Sequence, residues 1–155
     1  MTASKSISPH RSRRSVAEIV RAADPRADAF YRSHEREALK SCWAFTVVWH
    51  EQSVDLLALD GEIVVGTARL RIAASLGHVE RIVVDPEHRR RGIGRALLLE
   101  LDAIANYYNC HKMTIGVLHN GEAQRFFEAC GYHEEGVLLQ HDFKLDVAML
   151  RKFLL

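Results

Sequence analysis

Residues 78–108 hold the passage that most constrains this 155-residue chain. A strand-like run, His78-Val79-Glu80-Arg81-Ile82-Val83-Val84, meets Asp85-Pro86 and continues as Glu87-His88-Arg89-Arg90-Arg91-Gly92-Ile93-Gly94-Arg95-Ala96. Pro86 ends the strand because proline has no N–H to give to a ladder. Beyond the glycines, Ile93, Leu97, Leu101, Ile104 and Tyr108 recur every three or four residues, the apolar stripe of a long helix. Such a helix starts with amides that have no internal partner, at the positive end of its dipole. Gly92 and Gly94 bring no side chains, so a diphosphate can approach those amides. Arg89, Arg90, Arg91 and Arg95 add charge that pairs with phosphate oxygens. Two other phosphate loops fail the comparison. A dinucleotide fingerprint needs a third glycine where Leu97 stands, and a P-loop needs lysine and then Ser or Thr where Arg95-Ala96 stand.

The remaining pattern supplies a sheet for this unit to join. Ser15 to Lys40 reads as two helices: Val16, Ile19, Val20 and Ala23 keep helical spacing behind Ser15, Asp24-Pro25 interrupts, and Ala27 to Leu39 resumes. Cys42 to His50, rich in aromatic and β-branched residues, reads as a strand. Val54–Leu59 and Ile63–Ile72 are strands joined at Asp60-Gly61, a two-residue hairpin signal. His78–Val84 and Met113–Leu118 follow as strands, Ala123–Cys130 as a helix stopped by Gly131, and two last strands fall near Gly136–Leu139 and Phe143–Leu150. Hairpins followed by a strand–helix–strand–helix passage indicate a mixed α/β (α+β) sheet. The length suits one domain over residues 1–155, with 1–14 a short first strand or a loose terminus.

Bulk properties exclude several partners. The longest apolar runs fall well short of the roughly 18 residues that cross a membrane, so no membrane partner is expected. A formal charge of +1 exerts no global pull on nucleic acid, and the triple arginine lacks interleaved aromatics. None of the nine histidines forms an i, i+4 pair or a cluster with cysteine, so no metal is expected. Three cysteines, an odd number without ligand spacing, suit a reduced cytoplasmic protein. The first 15 residues carry four Lys or Arg and no acid, as organelle transit peptides do, but they contain Pro9 and lack an apolar face.

Arg89-Arg90-Arg91-Gly92-Ile93-Gly94 resembles the signature of the GNAT superfamily of acyl-CoA-dependent N-acetyltransferases: Gln or Arg, two residues, Gly, one residue, Gly or Ala. The preceding Val84-Asp-Pro-Glu-His-Arg and the following aliphatic helix match as well. A second block, Asn120-Gly-Glu-Ala123-Gln-Arg-Phe126-Phe127-Glu-Ala-Cys130-Gly131-Tyr132, is similar to that family's next strand–helix segment. The likeness covers roughly residues 54–150. It implies a GNAT-like mixed, mostly antiparallel sheet of about six or seven strands flanked by about four helices, with the central strands splayed. It further implies acetyl-CoA as co-substrate, its pantetheine arm lying in the gap between those strands. Backbone groups of Ile82, Val83 and Val84 would then bond the arm and orient the thioester carbonyl. The amides of Arg90, Arg91, Gly92, Ile93, Gly94 and Arg95 would hold the pyrophosphate. Asn120 and the helix from Ala123, with Phe127, would line the other side.

The resemblance also implies a catalytic base. A lysine-type amine is protonated at neutral pH, and something must take its proton before it attacks. Strict alternation puts His78, Glu80, Ile82 and Val84 on one face of the strand. Family members commonly carry their base at the positions of His78 or Glu80. Both are candidates, and Glu80 lies nearer the expected thioester. The plain alternative for Glu80 is a solvated or Arg81-paired carboxylate at the sheet edge. The family often places a tyrosine at the position of Phe127, whose hydroxyl protonates the departing thiolate, and Phe127 has no proton to give. Two readings stand: direct acetyl transfer to a primary amine of an unidentified small-molecule acceptor, or a non-catalytic or regulatory acyl-CoA-binding module. The acceptor site would be shaped by Asp28–Trp43 and Leu139–Phe143, with Glu35, Glu37 and Asp142 available to a cationic amine. An edge strand open to pairing suits a homodimer.

Overall fold

The computed structural model describes residues 24–42 and 50–154. The expected helix over Val16–Ala23 and the interior of the expected strand Cys42–His50 lie outside them. Residues 24–42 belong to an N-terminal unit, Met1–Val47, and the sheet to a second unit, Val48–Leu155. In the first unit, α1 (Pro25–Cys42) starts two residues before the expected Ala27 and runs beyond the expected Leu39 to Cys42, which ends this helix and does not open a strand. The Asp24 carboxylate accepts the Arg26 amide at 2.9 Å, and Pro25 occupies a position whose N–H would have no helical partner.

The second unit is a six-stranded sheet: β1 (Glu51–Asp60), β2 (Ile63–Ala73), β3 (Leu76–Val84), β4 (Lys112–Leu118), β5 (His133–Asp142) and β6 (Leu145–Phe153), in the order β1-β2-β3-β4-β6-β5. Every neighbouring pair is antiparallel except β3–β4. A parallel pair needs a long crossover, and α2 (Ile93–Tyr107) supplies it. The shorter α3 (Glu122–Glu128) joins β4 to β5. This is the mixed, mostly antiparallel architecture expected, with three α-helices among the described residues.

Several boundaries move, and β5 spans His133–Asp142 against the expected Gly136–Leu139. Asp60 pairs with Ile63, so the first turn is Gly61-Glu62 and not Asp60-Gly61. Gly61, at φ 61°, leads the turn, where a glycine-first hairpin needs the positive φ. Phe143 is no strand residue: Phe143 and Lys144 form the last turn at φ 50° and 65°, a turn that no Gly or Asn marks in the sequence. The helix expected over Ala123–Cys130 runs as Glu122–Glu128, and Gly131 takes the left-handed conformation beyond its cap at φ 89°.

The core forms where α2 lays Leu97, Leu98, Leu101 and Ala105 over Ala68, Leu70, Val79 and Met113 of the strands. Two irregularities then shape the site. β3 and β4 pair only through Leu76–Lys112, Gly77–Met113 and His78–Thr114, so the central strands part as expected. On the β2 side, Arg69 pairs with Arg81 and Leu70 with Val79, which leaves Glu80 as an extra residue, a β-bulge. The bulge overturns the strict alternation assumed for β3. Gly77 and Val79 are buried towards the core below it, and Ile82 and Val84 pack against the core above it. His78 therefore lies on the opposite face from Ile82 and Val84.

Leu101 is fully buried at the centre of the helix–sheet contact. Leu101→Ala should lower unfolding free energy by about 2–5 kcal/mol, read as a shifted urea midpoint at unchanged slope. A loss below about 1 kcal/mol would contradict this picture of the core.

Candidate active site

The loop between β3 and α2 is built from its own side chains. The Asp85 amide donates to the Val65 carbonyl at 2.9 Å, holding the end of β3 to β2. Pro86–His88 form a 3₁₀ turn, closed by a 2.5 Å hydrogen bond between His88 Nδ1 and Asp85 Oδ2. That imidazole is the main reason the Asp85 carboxyl sits below the usual carboxylate range. His88 Nε2 also lies 3.8 Å from Asp60 Oδ2, linking the loop to the β1–β2 turn.

The two glycines serve different ends. Gly92 caps α2 in the left-handed region at φ 85°, and a Cβ there would meet nothing within 4 Å. Its requirement is conformational. A Cβ on Gly94 would stand 3.3 Å from Phe126 Cζ, so Gly94 lets α3 approach the start of α2. The first helical bond runs from the Ala96 amide to the Gly92 carbonyl, which leaves the amides of Ile93, Gly94 and Arg95 ahead of it. Arginines are fixed around this end by backbone carbonyls. Arg89 donates to Val84, Arg91 to Glu87 and Arg95 to Ala129, at 3.1, 3.1 and 3.0 Å.

These parts border one open cleft of about 920 Å³. β3 contributes Ile82, Val83 and Val84; the loop and α2 contribute His88, Arg89, Arg90, Gly92, Ile93, Gly94 and Arg95; the α3 segment contributes Glu122, Ala123, Arg125, Phe126, Phe127 and Ala129. Of the expected binding residues, Arg91 and Asn120 are not in the lining. Asn120 instead turns the chain at φ 60°, and its amide donates to Gln124 Oε1 at 2.7 Å. Gln124 is the residue that sequence reasoning missed. Buried, it also donates to Glu128 at 3.0 Å and Glu134 at 2.9 Å, bracing the start of α3 against β5. Its signal was a glutamine three residues after Gly121, the position from which a side chain reaches back to cap a helix.

His78 and Glu80 stand at the fork, outside the cleft lining. His78 Nδ1 is 2.9 Å from Thr114 Oγ1 across the last β3–β4 pair. Burial lowers its pKa, and Arg71 adds to this against a weaker opposite pull from Glu80. An unfolded histidine therefore takes up a proton first as pH falls below about 6.5, and acid costs the fold stability there. Glu80 is not paired with Arg81. Its carboxylate lies 3.6 Å from Arg71 Nε, and Arg81 turns to Asp55 at 3.7 Å. Nor is β3 an edge strand; Glu80 is exposed because it is the bulged residue beside the parting of β4.

Phe127 is 1% exposed, in edge-to-face contact with Phe126 at 5.1 Å and Tyr132 at 5.2 Å. Burial, then Asp102 and Cys130, push the Tyr132 hydroxyl pKa far up. Burial likewise raises the Cys110 thiol. Among the described residues, no three His, Cys, Asp or Glu side chains converge to hold a metal ion.

Comparison with known proteins agrees with this layout. The model of the acetyltransferase (GNAT) family matches residues 13–132. A glucosamine 6-phosphate N-acetyltransferase of Schizosaccharomyces pombe is 29% identical over 86 residues, 51% of this chain and 76% of that protein. The crystal structure of an acetyltransferase from Bacillus cereus superposes with a TM-score of 0.72 at 20% identity, covering 88% of this chain and 98% of that one. A Bacillus anthracis protein solved in complex with acetyl coenzyme A superposes at 0.62 and 19% identity, covering 66% of this chain and 63% of that one.

Replacing Gly92 by valine forces a branched side chain into the left-handed region, at a local cost of about 1–3 kcal/mol. Titration calorimetry with CoA should show affinity reduced by at least about ten-fold. Unchanged affinity would remove this loop from the binding site.

Proposed function

We propose, from the premise that this chain belongs to the acetyltransferase (GNAT) family, that its cleft binds acetyl-CoA and that Glu80 deprotonates a small primary amine. Members of the family with named activities are acyl-CoA-dependent N-acetyltransferases, and this chain is one of them. The observation that carries the assignment of the cleft is a coincidence of two binding surfaces. The open edge of β3 at Ile82–Val84 and the uncommitted amides of Ile93–Arg95 border the same space.

In this reading the pyrophosphate rests on those three amides and meets the flanking arginines. The pantetheine arm runs along Ile82–Val84 as an added strand would, which brings the thioester to the fork beside Glu80. The carboxylate accepts a proton from the acceptor ammonium, directly or through one water. The freed amine nitrogen attacks the thioester carbonyl carbon, a tetrahedral intermediate forms, the nitrogen loses its second proton to solvent, and the C–S bond breaks. The acetamide keeps the acetyl group, and CoA departs as a thiolate. Phe127 has no proton to donate, so solvent protonates the thiolate. With a free thiol pKa near about 8.5, that loss is tolerable.

A small amine is the acceptor class we favour, in keeping with the amino sugar phosphate named for the S. pombe relative. Three unpaired cysteines, one of them exposed, suit a reducing cytoplasm. Exposed edge strand β5 is where two copies would pair.

Release of CoA thiol from acetyl-CoA should be seen with at least one member of a panel of small amines. Tight CoA binding with no release for any amine would overturn the transfer reading. Glu80→Gln should lower turnover by about 10²–10⁴-fold at neutral pH and recover towards wild type as the amine deprotonates unaided at higher pH. A mutant to wild-type ratio that stays flat with pH would rule Glu80 out as the base.

A further inference from the structure

The β-bulge at Glu80 sits at an exposed place. Bulges can migrate along a ladder, and a one-residue move turns each intervening side chain to the opposite face. On the β2 side, Val79 resists that move because it is buried in the core directly below the bulge. On the β4 side β3 is held by three residue pairs alone, and the last of these, His78–Thr114, is two residues from Glu80. That same pair carries a side-chain bond, His78 Nδ1 to Thr114 Oγ1 at 2.9 Å, between half-buried groups 36 residues apart in sequence. Arg71, the β2 residue in register with His78, reaches Glu80 at 3.6 Å and Glu51 at 3.2 Å. Arg151 faces Thr114 from β6 and is drawn towards Glu135. The groups around His78 thus link one rung to the carboxylate that hangs just above it.

We propose that His78 and Thr114 form a cross-strand pin that fixes the bulge and so aims the Glu80 carboxylate, making His78 a positioning residue and not the proton acceptor. This rests on the reading of Glu80 as the base. Burial and Arg71 keep His78 neutral near pH 7, and a neutral imidazole can either accept from or donate to the Thr114 hydroxyl. Its remaining ring nitrogen stays free of that bond. The pin requires the hydroxyl, which separates it from simple packing at Thr114.

Steady-state kinetics on Thr114→Val, Thr114→Ser, His78→Phe and Glu80→Gln test the pin. Thr114→Val keeps the shape and deletes the hydroxyl; kcat should fall about ten-fold with the KM for acetyl-CoA unchanged. Thr114→Ser should restore the rate. In a Glu80→Gln background, Thr114→Val should cost nothing further, because both changes act through one carboxylate. The acidic limb of the kcat–pH profile should keep its position in His78→Phe at reduced height and move in Glu80→Gln to the higher pH at which the amine deprotonates unaided. Thr114→Val at wild-type kcat, with Glu80→Gln impaired, would overturn the pin and leave the base assignment standing. A limb displaced to higher pH in His78→Phe but not in Glu80→Gln would overturn both and make His78 the base. Thermal midpoints separate these outcomes from misfolding, and the isosteric Thr114→Val carries the test if His78→Phe does not fold.

Discussion

β3 and β4 hydrogen-bond over Leu76–His78 and Lys112–Thr114 and then separate, although the strands run on to Val84 and Leu118. Unpaired strand edges are costly, and the fold limits that cost by keeping each outer edge occupied. β3 stays with β2 up to Val84, and β4 stays with β6 over its whole length. Only the inner edges of the fork are released, and that of β3 borders the cleft that α2 and α3 also line. Ile82, Val84, Ile93 and Phe126 pack against the core there, so the opening is walled with apolar groups. An extended ligand that brings its own amides can satisfy backbone groups which the sheet leaves open. The parting of two strands therefore leaves β3 with an open edge and, together with the bulge, leaves Glu80 exposed.

Charge is organised on the same plan. A net charge of +1 would not gather an anion by itself, yet Arg89, Arg91 and Arg95 are each tethered to a backbone carbonyl around one helix end. Tethering removes much of the side-chain entropy that a free arginine would lose on binding phosphate. Arg89 is the sharpest instance, because its carbonyl partner belongs to Val84, the last residue of the forked strand. Strand end, loop and helix start are in this way tied together by hydrogen bonds.

How much of this could be read from the residues follows from what each feature needs. The glycine–arginine loop was legible because its requirements are local: positive φ at Gly92, close approach at Gly94, charge beside a helix start. The stripe on α2 was legible because burial imposes a period, although it stops short of Tyr108, which is exposed. The bulge was not legible. One extra residue leaves no mark in composition, and counting alternate residues along β3 assumed an unbroken ladder. The partners of the site were hidden for a different reason. Arg71 and Thr114 come from other strands, and only the register brings them to Glu80 and His78. Gln124 lay within the recognised block but serves by bridging to Glu134 on β5.

Phe127 stands where the resemblance implies a tyrosine, and its surroundings favour a phenylalanine. Its ring is wedged between Phe126 and Tyr132 in a buried edge-to-face series beneath the cleft. Aromatic pairs in this arrangement contribute about 0.5–1.5 kcal/mol beyond the area they bury. A phenol at Phe127 would bring a second hydroxyl to a region where that of Tyr132 is already buried without a partner among the described residues, at a desolvation cost of about 1–3 kcal/mol. Placing phenylalanine there favours packing of α3 over a proton donor. Under the proposed transfer, that choice is tolerable because a thiolate leaves more readily than an amine, so deprotonation of the acceptor would be the step that needs help from the protein. On the proposed reading, the demand on this fold shifts to the bulge in β3, where the Glu80 carboxylate stands exposed beside Arg71.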